Sequence, residues 1–180
     1  YFVDEDGPHT DLQLPRESMF PSRATAYGNT LYIVESGTIS AMTYDGGVLS
    51  DAKQIADLHV DNSSDSYTAC NGLVADDAGL FVLMSESGMS SIGSKGTLYR
   101  VDLATGEATD TKVPNITDLC DYKDGKLLGR QWDAEAYYSA VFQRGDVSAQ
   151  ASLVTIDKTT LAVTELAKYP TLEYGGLAYD

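Results

Sequence analysis

One pattern occurs three times along this chain, and that repeat limits the possible folds more than any other feature of the sequence. Each copy contains a turn, a short apolar strand, a loop, a second strand and a turn that begins with aspartate. The strand leucines are 49 and 47 residues apart, and the turn aspartates are 57 and 55 residues apart. These markers are Leu31, Leu80 and Leu127, and Asp45, Asp102 and Asp157. Intervals of this length are typical of sheets that repeat along a chain.

The repeat predicts an all-β fold, a β-propeller made of four-stranded antiparallel blades. Both ends of the sequence match parts of a copy, so we expect a partial propeller that forms a single segment over residues 1–180. An open array of sheets exposes strand edges, so we expect this segment to pair with the remaining blades of a parent chain or with a second copy of itself. The alternative is a closed four-unit ring in which one blade has three strands. The predicted complete repeats are about 24–58, 71–114 and 116–169, and the partial blades are 1–14 and 174–180.

Apolar positions that recur between copies define the expected core. Short apolar runs bounded by Gly, Asn and Asp are typical of buried strands. No segment has a convincing helical period, and the best candidate, 132–142, holds at most one helical turn. The residues expected to be buried between sheets are Leu31, Ile33, Leu73, Leu80, Val82, Leu98, Val101, Leu119, Leu127, Leu153 and Ile156.

The residues of the aspartate-led turn predict its hydrogen bonds and backbone conformation. Asp102 is placed where its carboxylate can accept hydrogen bonds from nearby backbone amides, and Gly106 supplies a positive φ at the end of the turn. In the first copy a shorter turn, Asp45-Gly46-Gly47, is expected to do the same job. We therefore expect these turns to be built alike.

The charge of the chain excludes several classes of partner. It has 27 acidic and 12 basic residues, a formal net charge of −15, and the acids are dispersed rather than concentrated in one tail. Such a surface repels phosphate, so neither nucleic acid nor an anionic membrane is an expected partner. No run approaches the roughly 18 apolar residues of a membrane helix, so membrane insertion is not expected. Proteins, glycans and cations remain as ligands.

Two cysteines, Cys70 and Cys120, match no metal or redox motif. Two interpretations are open. They are buried free thiols, the usual state of unpaired cysteine, or they form a disulfide between neighbouring blades in an oxidising compartment, because both lie near the first strand of consecutive copies.

Two long loops, 85–96 and 131–150, occupy comparable positions in adjacent copies and are expected to share one face. Loops on rigid sheets commonly carry binding residues. Aromatic rings stack on sugars or peptides while carboxylates accept hydrogen bonds, so the densest mixture of such side chains is the candidate ligand site. The alternative is a folded-back loop whose rings fill a gap between blades. The residues of this mixture are Arg130, Gln131, Trp132, Asp133, Glu135, Tyr137 and Tyr138.

Metal and catalytic signals are weak. Asp61 and Asp65, together with Asp76 and Asp77, could share a cation if their loops converge, so calcium is the single candidate cofactor. A solvated acidic surface is the alternative. No nucleophile elbow or phosphate-binding loop is present, and no catalytic residue is predicted.

Residues 98–107, which read Leu-Tyr-Arg-Val-Asp-Leu-Ala-Thr-Gly-Glu, resemble the repeat of quinoprotein-like and YVTN-type bacterial β-propellers. The start of a blade in such proteins is similar to 176–180. The resemblance implies an extracellular, periplasmic or cell-envelope location. Such families include enzymes and non-catalytic proteins. The repeat, the acidic surface and the lack of a catalytic motif predict a non-catalytic module that binds a protein or glycan through loops on one face, with a structural spacer without a ligand as one alternative. The other alternative is a fragment of a propeller enzyme, glycan-cleaving or quinone-dependent, whose catalytic residues lie in other blades.

Overall fold

The computed structural model describes residues 2–4, 7–9, 23–35, 37–46, 48–58, 67–87, 96–132, 150–170 and 177–179. These residues form 15 strands and no helix, so the predicted all-β class is confirmed. The strands are β1 Phe2–Asp4, β2 Gly7–His9, β3 Arg23–Tyr27, β4 Thr30–Glu35, β5 Thr38–Asp45, β6 Val48–Leu49, β7 Lys53–Asp57, β8 Tyr67–Asp76, β9 Gly79–Ser87, β10 Gly96–Val101, β11 Ala108–Asp110, β12 Ile116–Tyr122, β13 Lys126–Trp132, β14 Gln150–Asp157 and β15 Val163–Pro170.

Every strand pairing described is antiparallel, and most of the strands fall into three units. The first unit has the order β3-β4-β5-β7, with β6 also paired to β5. The second unit is β8-β9-β10-β11 and the third is β12-β13-β14-β15. One bridge, between Gly96 and Ile116, joins the second and third units into a continuous sheet. The first two strands, β1 and β2, pair with each other.

The second unit is packed on both faces. One face joins Tyr32, Val34 and Ile39 of the first unit in a cluster with Leu80 and Val82. The opposite face carries Phe81, Leu83 and Leu98 against the third unit. On that side the third unit contributes Leu119, Leu127, Val154 and Ile156. Alternating residues of a strand point to opposite faces, so β9 supplies side chains to both clusters.

Eight of the eleven predicted core residues are buried. Ile33, Leu73 and Leu153 are wrong as core predictions, since each is only half-buried. The neighbouring residues Val34, Val74 and Val154 are buried more deeply, and Leu73 packs only partly buried against the cluster between the first and second units. Strand alternation therefore places the predicted residue on the less covered face.

The aspartate-led turns of the second and third units are built alike. Asp102 Oδ1 accepts the Thr105 amide at 2.8 Å and the Thr105 hydroxyl at 3.0 Å. Asp157 Oδ1 accepts the equivalent two bonds from Thr160 at 2.7 and 3.0 Å. Gly106 has φ +74° at the end of its turn, as predicted.

Candidate functional site

A cavity of about 380 Å³ lies between the first strands of the three units. Most of its wall is backbone and small side chains, with one cation, one carboxylate and one thiol. Its lining residues are Arg23, Ala24, Thr25, Ala26, Gly72, Leu73, Val74, Ala75, Leu119, Cys120, Asp121 and Leu177. Among the described residues this is where charged and apolar groups converge on open space, so it is the candidate site.

Two of the first strands, β8 and β12, run in one direction along the cavity, and the start of β3 lies beside their starts. A Cβ built on Gly72 of β8 would lie 2.5 Å from the Cβ of Leu119 in β12, so these strands touch at that point. Further along, Lys158 donates to Asp76 at the end of β8 and to Asp121 near the end of β12. The two strands therefore run in the same direction. Arg23 begins β3 and donates from Nε to the Cys70 carbonyl at 3.4 Å. The charge of Arg23 also acts on Asp118 near the start of β12, so the start of β3 lies beside the starts of β8 and β12.

A buried carboxylate lies on β12 just before the residues that line the cavity. Asp118 of β12 lies 3.5 Å from the Arg130 guanidinium on the adjacent strand, and both side chains are largely buried. Burial raises the pKa of Asp118, although hydrogen bonds from the Leu119 and Leu177 amides and the charges of Arg130 and Arg23 oppose that rise. Asp118 is thus held by groups from several elements, which is typical of a structural ion pair.

The carboxyl groups of this chain should titrate in a specific order. Burial places the pKa of Asp118 above its ordinary value of 3.8, whereas hydrogen bonds from Thr105 and Thr160 lower the pKa of Asp102 and Asp157. Carboxyl-carbon NMR should therefore show Asp118 protonating first as the pH falls. Because the folded-state pKa of Asp102 and Asp157 is lowered, their contribution to stability is present above about pH 3.9 and is lost as the pH falls through those lowered values. Titration of Asp118 below Asp102 would contradict the assignment.

A second ion-pair group lies between the second and third units. Lys158 has a side chain 7% exposed, and its Nζ donates to Asp76 Oδ2 and, at 2.7 Å, to Asp121 Oδ1. Burial lowers the pKa of Lys158, but hydrogen bonds to Asp121 and Asp76 and their charges outweigh it, so the net pKa is raised. The lysine therefore stays charged and joins the ends of β8 and β12.

Residues 177–179 lie beside the face of β12 that points away from the second unit. The Leu177 amide donates to Asp118, and the Tyr179 ring meets the Tyr122 ring edge-on at 4.5 Å. The order of these contacts follows β12 from start to end, so this segment is parallel to it. Leu177–Tyr179 is not in a strand, unlike the prediction for 174–180.

The predicted ligand residues are only partly described. Arg130, Gln131 and Trp132 belong to β13 and not to a loop, because β13 stays paired with β14 as far as Trp132. Arg130 binds Asp118, and Gln131 donates from Nε2 to the Pro114 carbonyl at 3.0 Å. The other predicted residues, Asp133, Glu135, Tyr137 and Tyr138, lie outside the described residues, as does the Trp132 side chain.

The proposed cation residues Asp61 and Asp65 also lie outside the described residues. Asp76 is paired with Lys158, and its Oδ1 accepts the Ala78 amide at 2.8 Å. Within the described part of the chain, no group of three or more His, Cys, Asp and Glu side chains could hold a metal ion. Calcium binding stays a prediction.

Both cysteines are free thiols in this structure rather than a disulfide. Cys70 is buried, and burial raises its pKa to about 11. Cys120 is half-buried, and burial followed by the charges of Asp118 and Asp121 raises its pKa as well. Thiols react as thiolates, so both are chemically quiet at neutral pH. The disulfide alternative stays a prediction for an oxidising compartment.

The sequence interpretation missed Lys158, and the repeat contains a signal for it. The turn Asp157-Lys158-Thr159-Thr160 aligns with Asp102-Leu103-Ala104-Thr105, in which Leu103 packs against the core. A lysine at a position that is apolar in the neighbouring copy indicates a buried cation with carboxylate partners.

Comparison with known proteins identifies no relative. No family model, curated protein or solved structure matches the chain. Among the described residues no helix is long and apolar enough to cross a membrane. The function therefore has to be argued from the site.

Proposed function

We propose that the chain is part of a β-propeller and acts as a non-catalytic binding or scaffold module of a bacterial envelope or secreted protein, with a protein or glycan as ligand. The cavity between β3, β8 and β12 carries this proposal. In a propeller, four-stranded sheets repeat around a central channel, so their first strands line that channel. The parallel strands β8 and β12 and a middle sheet packed on both faces support this architecture.

The segment Leu177–Tyr179 supports continuation of the array. It borders the cavity at Leu177 and runs parallel to β12, the position that the first strand of a fourth unit would take. Leu31 and Met42 lie on the face of the first unit that points away from the second, and they are only 7% and 3% exposed. Apolar side chains buried on this face support further sheets in the array.

The ligand face is proposed at the end where β8 and β12 begin. The strand β9 ends at Ser87, which pairs with Tyr67 at the start of β8. The strand β13 ends at Trp132, next to the start of β12. Because β8 and β12 are parallel, β9 and β13 both end there, and the predicted loops 85–96 and 131–150 include those strand ends. Loops from adjacent sheets that share one end can contact one ligand.

We expect the double variant Trp132→Ala/Tyr137→Ala to lose binding without a large loss of stability. The measurements are binding to a glycan microarray, photo-crosslinking in a bacterial envelope fraction, and the melting temperature. Tyr44→Ala, an exposed tyrosine on β5, is the matched control and should leave binding unchanged. A double variant that melts much lower yet binds as well as wild type would show that these rings pack between sheets. Turnover of an arrayed glycan would contradict the non-catalytic assignment.

A further inference from the structure

The cavity between β3, β8 and β12 is bordered by the backbone edges of strands. Four consecutive residues of β8, 72–75, line it, as do 119–121 of β12. Neighbouring side chains of a strand point to opposite faces, so a run of consecutive lining residues means that the strand turns its edge to the cavity. Within the described part of the chain β8 pairs only with β9, on its other side. The edge of β8 therefore offers backbone N–H and C=O groups to an extended ligand.

The end of the cavity where β8 and β12 begin has an excess of positive charge. Arg23 lines the cavity, is exposed, and donates from Nε to the Cys70 carbonyl. Its charge also acts on Asp118, but that carboxylate already lies 3.5 Å from Arg130. These side chains together carry two positive charges and one negative charge. The terminal N–H groups of Arg23 are therefore placed to bind a carboxylate of a ligand.

The opposite end of the cavity has an excess of negative charge. Asp121 lines the cavity there, and its side chain is 62% exposed. Its Oδ1 accepts the Lys158 ammonium at 2.7 Å and the Tyr122 amide at 2.9 Å, so among the described contacts Oδ2 remains as an acceptor. Lys158 is shared with Asp76, which gives two carboxylates to one ammonium group. This end therefore attracts a cationic group of a ligand.

The separation of the two ends fits a short peptide. Gly72 and Ala75 are the first and last residues of β8 that line the cavity. They are three residues apart, which corresponds to about 10 Å at about 3.3 Å per strand residue. An extended tripeptide spans about the same distance. The cavity volume of about 380 Å³ lies at the small end of the range for ligand sites, which suits a ligand of that size.

The two charged ends favour a zwitterion over a singly charged ligand. An anion bound to Arg23 would extend towards Asp121 on a chain of net charge −15, and a cation bound to Asp121 would extend towards Arg23. A single amino acid carries both charges on one carbon atom and is too short to reach both ends. A short peptide has its two charges at opposite ends and backbone amides between them.

We propose that this cavity binds a short peptide with free termini, its carboxylate on Arg23 and its ammonium group on Asp121 Oδ2. In this orientation the peptide runs antiparallel to β8 and exchanges backbone hydrogen bonds with its edge. The site lies within the cavity, and it does not depend on the ligand face or on the side chains of 131–150.

The test titrates the full 180-residue chain with trialanine and follows backbone amide shifts by ¹⁵N NMR. We expect saturable binding, with the largest shifts at 72–75 and 119–121. Trialanine acetylated at its amino end, or amidated at its carboxyl end, should bind about tenfold more weakly, because each modification removes one of the two charges.

Variants assign each charge of the peptide to its partner. Arg23→Gln should weaken trialanine binding about tenfold and leave binding of the amidated peptide unchanged, since the carboxylate that Arg23 holds is already absent there. Asp121→Asn should weaken trialanine binding but not binding of the acetylated peptide. Arg100→Gln and Asp110→Asn are the matched controls: Arg100 is an exposed arginine that also donates to a backbone carbonyl, and Asp110 also holds a lysine, at 2.6 Å. Both controls should bind trialanine like wild type.

Three results would overturn the inference: no saturable binding of trialanine, equal affinity for trialanine and both blocked peptides, or unchanged affinity in folded Arg23→Gln and Asp121→Asn variants. The double variant Trp132→Ala/Tyr137→Ala separates this inference from the ligand face. Trialanine binding lost only in that double variant would place the peptide on the ligand face and exclude the cavity. Binding lost only in the Arg23 and Asp121 variants would support the cavity site even if the ligand face failed its own test.

Discussion

Replacing Gly96 with alanine is expected to destabilise the chain by about 3 kcal/mol, the upper part of the range for inserting a methyl group into a packed site. A Cβ at Gly96 would lie 2.1 Å from the Ile116 carbonyl oxygen and 2.8 Å from Leu83 Cδ1. The first of these atoms is backbone, and it belongs to the one bridge that joins the second and third units. The methyl group can fit only if the two units separate locally.

Gly129→Ala is the matched control for this experiment. Gly129 is also a buried strand glycine, but its added Cβ would lie 3.4 Å from the flexible ends of Ile156 and Val154. That is ordinary contact, and alanine costs less backbone entropy than glycine in a strand, so we expect a change under about 1 kcal/mol. Urea unfolding monitored by circular dichroism measures both. Equal effects from the two variants would show that the Gly96 contact does not hold the units together.

The fold class could be predicted because the same sequence of strands and aspartate-led turns recurs along the chain. The spacing of Leu31, Leu80 and Leu127 locates a strand in each unit, although it is the second strand and not the first as expected. The turn at Asp102 forms the predicted hydrogen bonds. At these strands and turns the local sequence preference and the position in the repeat indicate the same structure, so they can be predicted from a single sequence.

Burial was harder to predict, for a reason visible at Leu73 and Val74. Both residues are apolar, so the strand has no polar face that would mark the solvent side. In stacked sheets each face is covered to a different depth, and this depth depends on neighbours far away in sequence. Alternation therefore shows that two faces exist but not which of them lies deeper.

The site was the least predictable part. Arg130 and Gln131 were predicted as ligand residues from their local sequence, but the partners that the structure gives them, Asp118 and the Pro114 carbonyl, are more than ten residues away in the chain. The Tyr122 and Tyr179 rings, whose centres are 4.5 Å apart, also belong to distant parts of the sequence. Only the arrangement of whole units brings such residues together.

Lys158→Ala is expected to lower the free energy of unfolding by about 3 kcal/mol. Removing one member of a buried ion pair leaves an uncompensated charge, which commonly costs about 3–5 kcal/mol. The lower end applies here because Asp121 is 62% exposed, whereas Asp76 is only 16% exposed and loses its partner within the interface. Lys112→Ala is the matched control: it breaks a short pair with Asp110 in which the lysine is 82% exposed, so we expect less than about 1 kcal/mol.

A double variant distinguishes two effects of Lys158→Ala: loss of the attraction between the lysine and its carboxylates, and the unpaired buried charge that is left on Asp76. Lys158→Leu/Asp76→Asn places leucine where the second unit has Leu103, and the asparagine oxygen keeps the bond from the Ala78 amide. We expect it to recover most of the stability that Lys158→Ala loses, since no buried charge is left unpaired.

The pH dependence of stability gives a second measurement. The pKa of Lys158 in the folded protein is raised above 10.5, so the contribution of its charge to stability is complete below that pH and is lost as the pH rises through the folded-state pKa. The difference between wild type and Lys158→Ala should therefore narrow above pH 10.5. A difference that instead stayed constant from pH 8 to 11, with no recovery in the double variant, would mean that the lysine stem contributes by packing and its charge does not.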